Sequence, residues 1–308
     1  MPYSIQINSV LLCFCCLLLA ACLPAQQSGR APIFSGTQYA WNPAMTANFA
    51  YIEANATYQS QWSGVDGGPE QLSAGVQVPF TSMNMGLGLQ IKQDKIGPLS
   101  QTAVQLNYAY HIPTGRSSRL SFGLSGEFGQ YRLDPSREIT ASPNDPLLFS
   151  EAMNTSYYNL GAGVYFYSTD MEDWEESYFF AGLSAYQAIP QDLIFGTNTN
   201  LPRDLHAYAL LGYRFYFDQF FLEPSAQLDY AMDDILLPRF QVLLEMIDSF
   251  WAGLAIDGAF STSIQAGFIL DTGGYNYVRV GAYAGTNISP QGLNLGTSYG
   301  VIAAYRID

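Results

Sequence analysis

Two histidines and two acidic clusters are the side chains in this chain whose types and spacing could support chemistry. His111 or His206 could activate a serine hydroxyl for attack on an ester, given a third group to orient the imidazole. The sequence is read as carrying neither a His-Glu-x-x-His nor a nucleophile-elbow pattern. Asp170, Glu172, Asp173, Glu175 and Glu176, and separately Asp233 and Asp234, offer carboxylates of the kind that bind calcium. They lack the ligand spacing of a calcium loop and read as solvated acidic turns, the first able to meet a basic partner. Gly86-Leu87-Gly88 lacks the lysine and hydroxyl of a phosphate-binding loop. The expectation is a non-enzyme with no catalytic residue, no metal and no cofactor, with both histidines hydrogen-bonded on the polar face of a strand.

The elements that carry these residues are strands. From Met83 to Ile112 the chain alternates, with Met83, Met85, Leu87, Leu89 and Ile91 apolar and their neighbours small, polar or charged. After QDKIGPLS, residues Thr102 to Ile112 alternate again, so the stretch reads as a hairpin with a Gly-Pro turn. Two strands cannot bury an apolar face, but the pattern recurs from Ala50 to Ile307 and gives 14 candidate strands. Pro224 removes a ladder donor and demotes the strand that holds it. Connections at 61–70, 93–99, 133–156, 188–203, 232–238 and 286–296 read as long, and most of the alternate ones as short. Only 12% of residues are charged, whereas 15% are aromatic, a balance that suits lipid on one face better than water on both. The expected fold is an all-β, antiparallel transmembrane barrel of about 14 strands in the bacterial outer membrane, with long extracellular loops and short periplasmic turns. A soluble β-sandwich would also alternate, but with more charge outside. Inward positions such as Tyr157, Tyr165, Tyr167, Arg214 and Tyr216 are bulky, which suggests a filled lumen.

The ends set the expected domains. Val10 to Ala21 is an apolar run of 12, too short to span a bilayer and suited to a signal peptide over residues 1–25. All four cysteines, Cys13, Cys15, Cys16 and Cys22, lie in it. Leu19-Ala20-Ala21-Cys22 resembles a lipoprotein signal, which leaves lipidation at Cys22 and cleavage near Ala25 both open. Residues 26–47 read as a periplasmic lead-in or plug, and 48–308 as the barrel. The net charge of −14 argues against nucleic acid as a partner.

Three stretches taken together carry a family resemblance: QYAWNPAM at 38–45, QWSGVDGGPEQLSAGVQVPF at 61–80 and MGLGLQIKQDKIGPLSQTAVQLNYAYHI at 85–112. In order and spacing they resemble the PorP/SprF family of type IX secretion system membrane proteins. Asn42, Pro43, Trp62, Gly64, Asp66, Gly67, Pro69, Asp94, Lys95, Ile96, Gly97 and Pro98 carry the match. The resemblance implies a non-enzymatic outer-membrane protein that supports secretion, or surface anchoring, of proteins with a C-terminal sorting domain. Its implied partners are periplasmic ring and motor components and a secreted adhesin, with gliding motility or adhesin export as the setting. The motif loops are candidate partner contacts, and Asp94 and Lys95 are expected to pair. The last strand departs from the family habit of ending on an aromatic, since it ends Tyr305-Arg306-Ile307-Asp308. A passive porin or small-molecule transporter is the alternative function. A lipid hydrolase, dependent on His111 or His206, is a third with little support.

Overall fold

The computed structural model describes residues 37–134, 152–171, 176–189, 191–195, 199–203, 205–231, 235–247, 249–257, 261–274, 276–288 and 294–307. The signal segment with Cys22, the Asp233-Asp234 pair, and Glu172, Asp173 and Glu175 lie outside these residues.

Among the described residues sixteen strands follow one another: β1 (Ile52–Ser60), β2 (Glu70–Phe80), β3 (Met85–Ile96), β4 (Leu99–Pro113), β5 (Arg119–Leu133), β6 (Met153–Tyr167), β7 (Tyr178–Tyr186), β8 (Gln191–Phe195), β9 (Thr199–Arg203), β10 (His206–Phe217), β11 (Phe220–Ala231), β12 (Ile235–Met246), β13 (Phe250–Asp257), β14 (Thr262–Gly273), β15 (Asn276–Ile288) and β16 (Asn294–Ile307). All but β8 and β9 form one closed barrel of 14 antiparallel strands, in which β16 returns to pair with β1. Closure leaves the barrel without an edge strand, the condition for crossing lipid with strands, although β6 pairs with β7 only from Ala162 to Tyr167.

The alternation decides which face meets lipid. Leu106, Leu124 and Phe128 are 62%, 63% and 64% exposed on the outer wall. Their neighbours Gln105, Asn107, Ser125 and Glu127 are buried, pointing inward. A sandwich would reverse this pattern by burying its apolar face. The periodicity therefore produces a barrel that is apolar outside and polar inside.

Several expectations need correction. The 93–99 connection is not a long loop: β3 and β4 run on until only Gly97 and Pro98 separate them. The 232–238 and 286–296 connections shorten likewise, because β12 extends into the first and β15 and β16 into the second. The three longest links on that rim are 61–69, 134–152 and 187–205, and the last contains the unanticipated hairpin β8–β9. Pro224 does not weaken β11 as a barrel strand. The ladder to β12 is continuous through Pro224 and Val242, while the ladder to β10 skips from Ser225 to Leu222. A missing amide costs rungs on one side only, and the other side holds the strand in the wall.

The lumen is filled in three different ways, one of them the β8–β9 hairpin, whose Leu193 and Phe195 are buried with Ala103 and Tyr157. Along β11 to β16 it is filled by side chains of the wall itself: Phe221, Leu243, Trp251, Tyr283 and Ile302 pack together and are buried. Along β2 to β7 it is filled by residues 37–47, which precede β1 and turn inward as two short 3-10 turns, Gln38–Ala40 and Pro43–Met45.

Candidate functional site

The candidate residues fall into two places. Trp62, Gly64, Asp66, Gly67, Pro69, Gly97 and Pro98 come together at the rim opposite the chain ends. Asn42 and Pro43 lie inside the lumen, nearer the rim where β1 starts and β16 ends.

At the far rim, the 61–69 loop folds back on itself: Gln61 donates to the Pro69 carbonyl at 2.8 Å and Val65 to that of Trp62 at 2.8 Å. The backbone takes left-handed conformations at Trp62 (φ 56°) and Gly67 (φ 74°). This costs a glycine almost nothing but strains a tryptophan. The loop is then tied on both sides. The Gly97 amide donates to the Gly67 carbonyl at 2.8 Å, which joins two motifs that the sequence separates by 30 residues. On the other flank the Ser63 amide donates to the Thr297 carbonyl at 3.1 Å, and the Ser63 and Thr297 hydroxyls meet at 3.0 Å. The Asp134 amide donates to the Pro98 carbonyl at 2.9 Å, so the start of the next loop joins as well. Ser63, Gly64, Val65 and Asp66 are left exposed on this braced surface. Pro69 is buried beneath it.

Asp94 and Lys95 do not pair with each other. As neighbours on β3 they point to opposite faces. Asp94 accepts a hydrogen bond from the Gln71 side chain inside the wall, and Lys95 reaches Glu70 at 3.5 Å outside it. The latter is an exposed pair and stabilises little. Ile96 is exposed at the end of β3.

Inside the lumen, Asn42 caps the Pro43–Met45 turn by accepting from the Ala44 amide at 3.0 Å. Its Nδ2 donates to the wall carbonyls of Val164 at 3.2 Å and Leu183 at 3.4 Å. Pro43 opens the turn, where its fixed φ fits and its missing amide is not needed. His111 is fully buried. Its Nε2 lies 3.1 Å from the Thr46 carbonyl and its Nδ1 2.6 Å from the Ser121 hydroxyl. A carbonyl only accepts, so Nε2 carries the proton and Ser121 donates to Nδ1. Through these bonds the histidine ties the segment to the wall. His206 begins β10, half-buried, opposite Tyr186 and Ala231. The expectation of no nucleophile-elbow pattern needs correction, since Gly296-Thr297-Ser298-Tyr299-Gly300 has the Gly-x-Ser-x-Gly spacing; it runs along β16, however, without the strand-to-helix turn that exposes a nucleophile. Asp170, from the acidic cluster, bonds Arg119 at 2.6 Å.

Ion pairs line the inner wall, and sequence reading did not anticipate them. Arg306 binds Glu53 at 2.8 Å across the β16–β1 seam, Arg214 binds Glu223 at 2.6 Å, and Arg279 binds Glu245 at 2.5 Å. Lys92 binds Glu127 at 2.6 Å. Arg203, which ends β9, reaches the same Glu127 at 3.6 Å and lies over the Tyr157 ring at 3.6 Å. Leu193 and Phe195 of β8 pack on Tyr157 and Ala103, so the hairpin is seated against the inside of the wall. Isolated charges at inward positions are visible in the sequence, but their partners lie on other strands and depend on register. Among the described residues no cluster of three or more metal-ligating side chains occurs.

The fold is shared with solved outer-membrane channels. The CymD monoaromatic hydrocarbon channel superposes with a TM-score of 0.57 at 10% identity, covering 90% of this chain and 93% of that one. The Pseudomonas putida toluene transporter TodX gives 0.51 at 8% identity, covering 91% of this chain and 95% of that one. At such identities the likeness establishes the architecture alone. No curated protein sequence matches this chain significantly. The family profile described as type IX secretion system membrane protein PorP/SprF matches residues 25–305, nearly the whole chain and both candidate regions. The chain therefore belongs to the PorP/SprF family of type IX secretion system membrane proteins.

Proposed function

We propose that this protein, an integral outer-membrane barrel of the type IX secretion system, works without catalysing a reaction. It supports the export or surface anchoring of proteins that carry a C-terminal sorting domain. The observation that carries this reading is the braced rim, where Gly67 and Gly97 join two family motifs into one exposed surface. A surface held by backbone bonds loses little freedom when a partner docks, so it suits recognition. With β1 starting and β16 ending in the periplasm, this rim faces outward toward cargo. The opposite rim and the N-terminal segment face the periplasmic ring and motor components.

A passive porin is less well supported. The lumen is occupied by Trp251 and its neighbours on one side and by residues 37–47 on the other. The cavities beside that segment measure about 40 and 20 Å³, room for water only. The deciding experiment is deletion of the gene combined with affinity purification of the tagged protein from outer membranes. Loss of surface display of sorting-domain proteins, with ring components copurifying, is the expected result. Unchanged secretion and display, in a strain without a paralogue, would overturn the reading.

A further inference from the structure

Residues 37–47 occupy a seat that the barrel wall is shaped to provide. Beneath the segment, the inward positions are Gly75 on β2, Gly86 and Gly88 on β3, Gly123 on β5, Gly163 on β6 and Gly182 on β7. A Cβ on Gly123 would overlap the backbone of Pro43 and Ala44, and one on Gly163 would overlap Asn42 Oδ1. A Cβ on Gly86 would overlap the Thr46 carbonyl, and one on Gly75 the Tyr39 hydroxyl. On the opposite side of the lumen, glycines make room for the wall's own side chains, as Gly267 and Gly281 do for Trp251. Glycine in a strand weakens it and is placed where another backbone approaches closely. Here the approaching backbone is the chain's own N-terminal segment.

Ala44 and Met45 pack against Tyr165, Tyr167, Tyr178 and Phe180 of the wall, and the remaining ties to the segment are hydrogen bonds. The Ser184 hydroxyl donates to the Trp41 carbonyl at 2.7 Å, and the Ala47 amide donates to Gln77 Oε1 at 2.8 Å. The Tyr186 hydroxyl donates to the Tyr39 carbonyl at 3.4 Å and Asn55 Nδ2 to the Tyr39 hydroxyl at 3.4 Å, beside the His111 and Asn42 bonds. Water can replace each of these bonds when the segment leaves. The groups then uncovered are Gln77, Asn107, His111, Ser184 and the glycines, which water can wet, together with the rings of Tyr165 and Phe180.

We infer that residues 37–47 are a removable plug. While seated, they close the β2–β7 half of the lumen. Once withdrawn, they open an aqueous passage on that side, past the β8–β9 hairpin that stays seated on Tyr157, and the Trp251 side stays filled. This inference does not depend on the secretion role, because it concerns only how the lumen is closed.

Planar-bilayer recording of the purified protein tests it. The unaltered chain is expected to be silent, and deletion of residues 37–47 is expected to give steady ohmic steps. A synthetic peptide of residues 37–51, added to the deletion variant, should reduce that conductance. Heat-modifiable migration on gels and circular dichroism would show whether the shortened barrel folds. Asn42→Ala keeps the whole chain and every wall residue but removes two bonds to the wall. It is expected to raise the open fraction about tenfold over the unaltered protein. The inference is overturned if the folded deletion variant stays silent, or if the unaltered chain already conducts as well as the deletion variant. If the deletion variant does not fold, an Asn42→Ala chain no more open than the unaltered one overturns it.

Discussion

Gly97 donates its backbone amide to the carbonyl of Gly67 at 2.8 Å, and through this bond a two-residue turn braces a nine-residue loop. Both residues have positive φ, 52° and 74°. A Cβ on Gly67 would stand 3.0 Å from the Gly97 Cα, tighter than an ordinary contact. Gly67→Ala therefore combines left-handed strain of roughly 1 kcal/mol with displacement of the turn. Limited proteolysis in detergent micelles should cut the 61–69 loop several-fold faster in this variant, while barrel melting changes little. Equal cleavage rates would show that the bond does not brace the rim.

The seam between first and last strands rests on Glu53, fully buried, and Arg306, whose guanidinium also lies over the Tyr51 ring at 4.8 Å. Removing one partner leaves a charge without its counter-ion. Glu53→Gln is expected to cost about 3 kcal/mol. Replacing both with methionine should recover most of that loss. Urea unfolding in lipid vesicles measures the cycle, and equal stability of the single and double variants would contradict it.

The outward position of Leu124 near the middle of β5 is tested by charge. Leu124→Arg should destabilise the barrel by roughly 2–4 kcal/mol in lipid, the cost near a bilayer midplane. Ser125→Arg, on the inner face, would instead clash with neighbours such as Gly161, whose Cβ would reach the Ser125 hydroxyl. Vesicle refolding yields that are unaffected by Leu124→Arg would remove this residue from the lipid face.

Arg203 fastens the β8–β9 hairpin by stacking on Tyr157 and pairing with Glu127. Arg203→Ala should weaken the attachment by about 1–2 kcal/mol, while Glu127 keeps its Lys92 partner. Hydrogen exchange at Leu193 and Phe195 should speed up, with β5 and β6 unchanged. Arg203→Lys should restore little, because an ammonium cannot stack as a flat guanidinium does. Full rescue by lysine would mean that charge alone holds the hairpin.

The sequence by itself determined the class of fold and the number of strands in the barrel wall, though not the β8–β9 hairpin inside it. A period of two repeated over 250 residues fixes which side chains share a face. A low charge content with many aromatics selects lipid for one of those faces. Strand ends and loop lengths were less legible, because polar residues such as Gln93, Asp94 and Lys95 continue a ladder once a neighbouring strand offers the rungs. The motif residues were visible as a set, but their separation was not. Only the tertiary structure put Gly67 against Gly97 at the rim and Asn42 in the lumen, and only it turned Lys95 away from Asp94. It also paired Glu53 with Arg306 across 253 residues of chain. The physical reason is that periodicity is a local property carried by each strand. Register, closure and the path of the N-terminal segment are set by contacts between residues far apart in sequence, which exist only when the barrel has closed.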